Sequence, residues 1–84
     1  MTTIRFDGVY FRVYPADHEP RHVHGEYAET VAIVDLREDG SVTLADRADR
    51  IIPANAKRSD VKKILRVALK NFDILAAIWG RMHQ

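Results

Sequence analysis

The sequence predicts an α+β domain in which an antiparallel β-meander of four to five strands packs against a C-terminal helix or helix pair. Three observations support this fold class. Apolar and polar residues alternate with period two over residues 9–14, which is typical of a half-buried strand. Turn-forming residues separate the apolar runs, as at 38–41. Apolar residues then recur with helical spacing over residues 61–82.

The strands are expected within residues 4–52. Strand-forming runs lie, in chain order, at 4–6, 9–14, 22–27, 30–36 and 42–44. The run 30–36 is almost entirely apolar, which predicts a central strand buried on both faces. Alternation along 22–27 places His22, His24 and Glu26 on one face. Residues 51–52 are predicted as either a last short strand or a packed loop.

The helical region is expected over residues 59–82. Ser59 is suited to the N-cap, and Asp60 suits the first turn because its charge opposes the helix dipole. Apolar residues follow at alternating spacings of four and three: Val61, Leu65, Ala68, Phe72, Leu75, Trp79 and Met82. The pair Lys70-Asn71 is the weakest point of this pattern, so both one long helix and two shorter helices are compatible with it.

Composition excludes several classes of protein. The chain has 84 residues, enough for one domain (1–84), and 46% are hydrophobic, too many for a disordered chain. It contains no cysteine, which excludes disulfides, thiolate zinc sites and cysteine nucleophiles. The N-terminus lacks the apolar core of a signal peptide, and the longest uncharged apolar run, 74–80, is too short to span a bilayer. We therefore expect a cytoplasmic protein without a membrane partner.

Three of the four histidines lie within the seven residues from His18 to His24, directly after Asp17. Histidine is the commonest metal ligand and titrates near neutral pH. On a strand, His22 and His24 lie roughly 6–7 Å apart at Cα, close enough to share one ion. A loop residue, His18 or Asp17, is expected to fold back as a third ligand. The predicted metal ligands are therefore Asp17, His18, His22 and His24, with a divalent transition metal as cofactor.

Two other interpretations of the same histidines remain open. In a metal-free hydrolase, His18, His22 and His24 would exchange protons with a phosphodiester, and Arg12 or Arg21 would stabilise the developing charge. In a structural interpretation, Asp17 caps a loop and the histidines cover an exposed sheet face. The fourth histidine, His83, is expected to be frayed and exposed to solvent.

Around the histidines the chain resembles the bacterial domain-of-unknown-function family numbered 4160, which carries the motif D-H-x-P-P-H-x-H after a glycine and an alternating strand ending in tyrosine. The matching residues are Gly8, Val9, Phe11, Val13, Tyr14, Asp17, His18, Pro20, His22, His24 and, near the end, Leu75 and Trp79. The second motif proline is Arg21 here. A family tryptophan falls near Val67, and a helix position that is often histidine falls near Asn71. The resemblance implies a small cytoplasmic prokaryotic or phage protein, often paired with a second small protein as in a toxin–antitoxin operon.

Charge is unevenly distributed along the chain. Residues 1–49 carry five basic and ten acidic side chains, whereas residues 50–84 carry eight basic and two acidic ones. Six basic residues, which we call the basic face, lie on the helical region: Lys57, Arg58, Lys62, Lys63, Arg66 and Lys70. They predict either a non-specific nucleic-acid or partner surface, or simply a solvated helix face. The apolar helix end, formed by Ile78, Trp79 and Met82, is expected to belong to the core unless it projects beyond the sheet. In that case it would bind a partner or form a homodimer.

Three functions are compatible with these patterns. The first is an interaction protein of a toxin–antitoxin-like or phage–host module, which binds a protein partner such as the product of a neighbouring gene. The second is a ribonuclease or other phosphodiesterase that uses the histidines with or without a metal ion. The third is a nucleic-acid binder that uses the basic face.

Overall fold

The computed structural model describes all residues, 1–84, and confirms the α+β prediction. A six-stranded antiparallel sheet is followed by two helices. The elements are β1 (Thr2–Phe6), β2 (Val9–Val13), β3 (His22–Tyr27), β4 (Thr30–Leu36), β5 (Val42–Leu44), β6 (Ile51–Ile52), α1 (Arg58–Lys70) and α2 (Phe72–Met82). Neither helix is long and apolar enough to cross a membrane.

The strands follow one another as a meander in the order β1-β2-β3-β4-β5, and the short β6 pairs with β4 beside β5. Residues 51–52 are thus the last strand, the first of the two alternatives. Tight turns join the strands where residues adopt positive φ, at Asp7 (51°) and Gly8 (83°) between β1 and β2. Gly40, with φ of 87°, does the same in the β4–β5 hairpin.

One face of the sheet packs against α1 and forms the core. Phe11 of β2, Val23 of β3 and Ile64 of α1 are each 0% exposed. The close approach of α1 to β3 depends on Gly25. A Cβ atom at that position would overlap Cγ2 of Ile64 and lie 3.2 Å from Cε1 of Phe11. The absence of a side chain at residue 25 therefore lets the helix pack directly on the sheet.

The helical region divides at Asn71 into two helices, which was one of the two predicted alternatives. Asn71 has φ of −112° and ψ of 25°, and its side-chain Nδ2 donates a hydrogen bond to the Val67 carbonyl oxygen at 2.9 Å. The prediction that Ser59 is the N-cap is wrong. The helix begins at Arg58, because the carbonyl oxygen of Lys57 already accepts hydrogen bonds from Asp60 N–H (3.1 Å) and Val61 N–H (3.2 Å).

The apolar helix end is part of the core. Ile78 and Trp79 are each only 4% exposed, and Met82 is half-buried against the same core. An exposed partner surface at Ile78, Trp79 and Met82 is therefore wrong, because α2 folds back along the domain rather than projecting from it. The exposed large apolar side chains of the helices are Leu69 and Ile74, beside the break between α1 and α2.

Candidate metal centre

Strand β3 brings His22 and His24 together on the sheet face opposite α1. Alternation along the strand turns Val23 and Gly25 toward the core and leaves the two histidines on the other side. Their ring centroids are 5.4 Å apart. The edge of Tyr14 meets the His24 ring at right angles, with centroids 4.9 Å apart. The strand thus places both imidazoles side by side on one face of the sheet.

The loop between β2 and β3 adds a carboxylate to this pair. Asp17 N–H donates to the Tyr14 carbonyl oxygen at 3.2 Å, which closes a turn and directs the side chain back over β3. Its Oδ2 lies 3.1 Å from Nε2 of His22 and 3.1 Å from Nε2 of His24. One ligand atom from each of the three residues lies within 4.8 Å of the other two. We call Asp17, His22 and His24 the Asp–His cluster.

The tautomer of His22 is defined by a backbone acceptor. Nδ1 of His22 lies 2.9 Å from the carbonyl oxygen of Pro20, which can only accept, so Nδ1 carries the proton. In the neutral ring, Nε2 is then an unprotonated lone pair that faces Asp17. This nitrogen is buried, and its 3.1 Å approach to the Asp17 carboxylate lacks hydrogen-bonding geometry. His22 Nε2 is the one buried side-chain polar atom in the protein without a hydrogen-bond partner.

The separations of Asp17 Oδ2 from the two histidine nitrogens suit a shared cation. Histidine and carboxylate ligands bind transition metals at about 2.0–2.2 Å, which places neighbouring ligand atoms about 3.0–3.5 Å apart in tetrahedral or octahedral geometry. The two 3.1 Å separations from Asp17 fall in this range. The Nδ1–H bond from His22 to a backbone carbonyl is also the usual second contact of a metal-binding histidine, because it orients the ring.

An open cavity of about 540 Å³ lies beside the cluster. Four carboxylates, those of Asp17, Glu19, Asp35 and Asp46, line it against the single guanidinium of Arg47. Burial raises the pKa of the Asp35 carboxyl, and the nearby charges of His22 and Arg37 oppose this effect in part. The net negative lining favours a cation over an anionic ligand.

The structure separates the other predicted site residues from the cluster. His18 is exposed at the cavity and is not one of the three grouped ligands, so Asp17 rather than His18 is the loop residue that folds back. Arg12, opposite His24 in the β2–β3 register, pairs its Nη1 with the Glu26 carboxylate. Its charge is thus already matched by a neighbour.

Two residues of the C-terminal region join the site although they were not predicted to. Trp79 packs its ring 5.3 Å from that of His22. His83 stacks on Trp79, with ring centroids 3.6 Å apart, and its Nε2 lies 3.0 Å from the Asp17 carbonyl oxygen. The expectation that His83 is frayed is wrong, because these contacts leave it half-buried. The four-residue spacing of Trp79 and His83, which places both on one helix face, was the available signal.

The basic face lies away from the cluster. It belongs to α1, which covers the apolar side of the sheet. Lys57, Arg58, Lys62 and Arg66 are exposed and have no carboxylate within ion-pair distance. Lys70 pairs with Asp7 at 3.2 Å, and the Lys63 ammonium lies 5.3 Å from the centre of the Tyr27 ring.

Comparison with known proteins gives one match. The family model for a domain of unknown function (DUF4160) matches residues 8–80. The chain belongs to the DUF4160 family. The match includes the whole Asp–His cluster, both helices up to Gly80 and all strands after β1, and it ends before His83. No curated protein and no solved structure matches the chain.

Proposed function

We propose that this DUF4160 protein binds one divalent transition-metal ion through Asp17 Oδ2, His22 Nε2 and His24 Nε2. The observation that carries the proposal is the buried, unpartnered Nε2 of His22, which faces a carboxylate at 3.1 Å. A buried polar atom without a partner costs about 1–3 kcal/mol. A bound cation would remove this cost, and it would take the place of the hydrogen bond between His24 Nε2 and Asp17 Oδ2, which lie 3.1 Å apart.

The donor set favours particular ions. Two imidazoles and one carboxylate, with no sulfur ligand in the chain, suit zinc, iron, nickel or manganese. Three protein ligands leave at least one coordination position for water or substrate, as in catalytic rather than structural sites. The acidic cavity beside the cluster supplies the space for that position.

Hydrolysis of a phosphodiester is the activity we propose to assay first. A metal-bound water can have its pKa lowered to about 7, where it becomes a nucleophile. Among the predicted catalytic residues, His18 lines the cavity without belonging to the cluster, so it is free to donate a proton to a leaving group. The carboxylates that line the cavity oppose a polyanion, which favours a short substrate with few phosphates over long duplex nucleic acid.

The direct test is metal content. Untagged wild-type protein should contain close to one equivalent of zinc or another transition metal, or take up one equivalent of Zn²⁺ or Co²⁺ after chelator treatment. His22→Ala and His24→Ala should lose it while circular dichroism shows a folded chain. His18→Ala is the matched control, because it removes an imidazole outside the cluster and should retain the metal.

A wild-type protein that binds neither ion would contradict the proposed function. Equal metal uptake by wild type and the His22→Ala/His24→Ala double variant would place the ion elsewhere. RNA and DNA hydrolysis by the loaded protein, lost in the same variants, would identify it as a nuclease.

We also propose a second function, partner binding through the basic face. The specific observation is four exposed cations without carboxylate partners, Lys57 at the N-cap of α1 and three more on the helix. Such a surface suits a nucleic acid or an acidic protein, for example the product of a neighbouring gene in a cytoplasmic toxin–antitoxin-like or phage–host module. Because α1 and the cluster lie on opposite sides of the sheet, this binding would not present a ligand to the metal.

This second function is tested by reversing charge. Lys62→Glu, Lys63→Glu and Arg66→Glu combined should abolish binding to RNA, DNA or the neighbouring gene product, with wild-type affinity falling steeply as salt increases. Reversal of three exposed arginines elsewhere, Arg5, Arg50 and Arg81, is the matched control and should have a smaller effect. Equal losses in both triple variants would contradict a localised binding surface.

A further inference from the structure

The carboxylate of the Asp–His cluster is carried by a loop with few contacts of its own. Residues 15, 16, 18, 19 and 20 are all exposed, so apolar packing does not hold the segment in place. Strand β3, in contrast, fixes His24 through ladder pairing with both β2 and β4, and it fixes His22 through pairing with Asp35 of β4. The position of Asp17 relative to the histidines therefore depends on a small number of hydrogen bonds.

Two hydrogen bonds hold the backbone of Asp17, and they come from opposite directions. Its N–H donates to Tyr14 within the loop, at 3.2 Å. Its carbonyl oxygen lies 3.0 Å from His83 Nε2, across 66 positions of sequence, and accepts a hydrogen bond in the tautomer that carries the proton on Nε2. The first bond is local and moves with the loop, whereas the second ties the loop to the end of α2.

The imidazole of His83 is itself held firmly. Nδ1 of His83 lies 2.8 Å from the Trp79 carbonyl oxygen, and its backbone N–H donates to the same oxygen at 3.1 Å. The ring stacks on Trp79 with an interplanar angle of 13°. Trp79 in turn is 4% exposed and packs against His22, and its Nε1 lies 3.4 Å from Glu19 Oε1. His83 thus connects the loop ligand, Asp17, to a residue that already contacts a strand ligand, His22.

From this geometry we propose that His83 is a positioning residue for the metal centre, which holds Asp17 at the distance that a shared ion requires. The inference rests on the proposed metal-binding function. Partners of this kind orient the ligands rather than bind the metal, and their loss typically lowers metal affinity about 10- to 100-fold. His83 lies outside the segment that matches the family model.

The test measures Zn²⁺ affinity by competition with a chromophoric chelator and records the visible absorption spectrum of the Co²⁺-loaded protein. His83→Ala and His83→Asn should bind Zn²⁺ about 10-fold more weakly or worse, with an altered Co²⁺ spectrum. The asparagine amide can replace Nδ1 but does not reach Asp17. His83→Gln places an amide nitrogen near Nε2, so it should recover most of the affinity and the spectrum.

A double-mutant cycle with Asp17→Ala distinguishes positioning from general stabilisation. Because His83 acts through Asp17, removing His83 should change Zn²⁺ affinity little when the carboxylate is already absent. The Asp17→Ala/His83→Asn protein gives the same comparison if His83→Ala fails to fold.

Each result decides a different point. Wild-type affinity in both His83→Ala and His83→Asn, with wild-type metal loading, would overturn the role of His83 and leave the metal site intact. An equal loss with and without the Asp17 carboxylate would also overturn it, since the effect would then be structural. A wild-type protein that takes up neither Zn²⁺ nor Co²⁺ would overturn the metal site and the role of His83 together.

Discussion

The two faces of the sheet differ in what holds them together, although strand β3 contributes to both. On the helix face, Val23 and Gly25 meet Phe11 and Ile64 in close apolar contact. On the opposite face, His22 and His24 meet a carboxylate beside an open, negatively lined cavity. Successive residues of one strand thus alternate between a packed core and a candidate ligand site.

This difference suggests that the helix face stabilises the fold, whereas the opposite face is suited to bind a ligand. The helix face excludes water and gains stability from buried area. The opposite face, which we call the loop face, holds His22 and His24. It contains a buried nitrogen without a partner, and this arrangement costs stability until a ligand binds there. Substitutions on the two faces should therefore have separable effects, and the following predictions test that separation.

The largest effect is expected on the helix face. Ile64→Ala removes a fully buried side chain from the contact between α1 and the sheet and should lower the free energy of unfolding by about 2–5 kcal/mol. Urea unfolding with chelator present measures the loss. The fraction that stays folded should still bind metal with the wild-type stoichiometry. A loss of metal binding without a loss of stability would contradict the separation of the two faces.

Metal should stabilise the protein only through the loop face. A ligand present at 100 times its dissociation constant raises the free energy of unfolding by about 2.7 kcal/mol when it binds the folded state alone. Wild type should melt at a higher temperature with Zn²⁺ than with chelator, by the shift that corresponds to this free energy. His24→Ala should abolish the shift. The same Zn²⁺-dependent increase in wild type and His24→Ala would show that the ion binds outside the cluster.

Substitution by alanine should have opposite effects on stability at two glycines. Gly25→Ala forces the new Cβ into Ile64 and Phe11 and should destabilise the protein by about 1–3 kcal/mol. Gly80→Ala is the matched control. It meets nothing within 4 Å, and it lies within α2, where alanine is favoured over glycine by roughly 0.5–1 kcal/mol. Comparison of the two urea midpoints is sufficient, and equal midpoints would contradict the close approach of α1 to β3.

The smallest effect is expected in the β4–β5 turn, which contributes to neither face. A hydrogen bond from the Ser41 hydroxyl, and a second from its backbone N–H, hold the pKa of the Asp39 carboxyl below its ordinary value of 3.8. Because the folded state favours the ionised Asp39 carboxylate, the stability that it contributes is complete at pH values above its ordinary pKa. This stability is lost as the pH falls through the lowered pKa. Asp39→Asn should therefore reduce stability slightly at pH 7. Unfolding midpoints measured down to pH 2.5 should converge, and a constant difference would show that charge is not the cause.

Local patterns predicted most of the fold. The alternation of β2 and β3, the turn at Asp7-Gly8 and the break at Asn71 all depend on residues within a few positions of one another. Backbone geometry sets these periods, so they can be recognised without knowledge of the tertiary structure. The pairing of His22 with His24 belongs to the same class, because a strand places alternate residues on one face.

The composition of the site and the burial of the helix end depended on contacts between distant segments. The choice of Asp17 over His18 depends on how the loop closes over β3. The position of His83 depends on where α2 ends relative to that loop, 66 residues earlier in the chain. Burial of Trp79 follows from α2 folding back against His22 rather than continuing the direction of α1. Sequence periodicity records which face of an element is apolar, but it carries no information about which distant element covers that face. Local sequence patterns therefore determined the strands, the turns and the placement of His22 and His24 on one face. Only tertiary packing brought Asp17, Trp79 and His83 to these histidines.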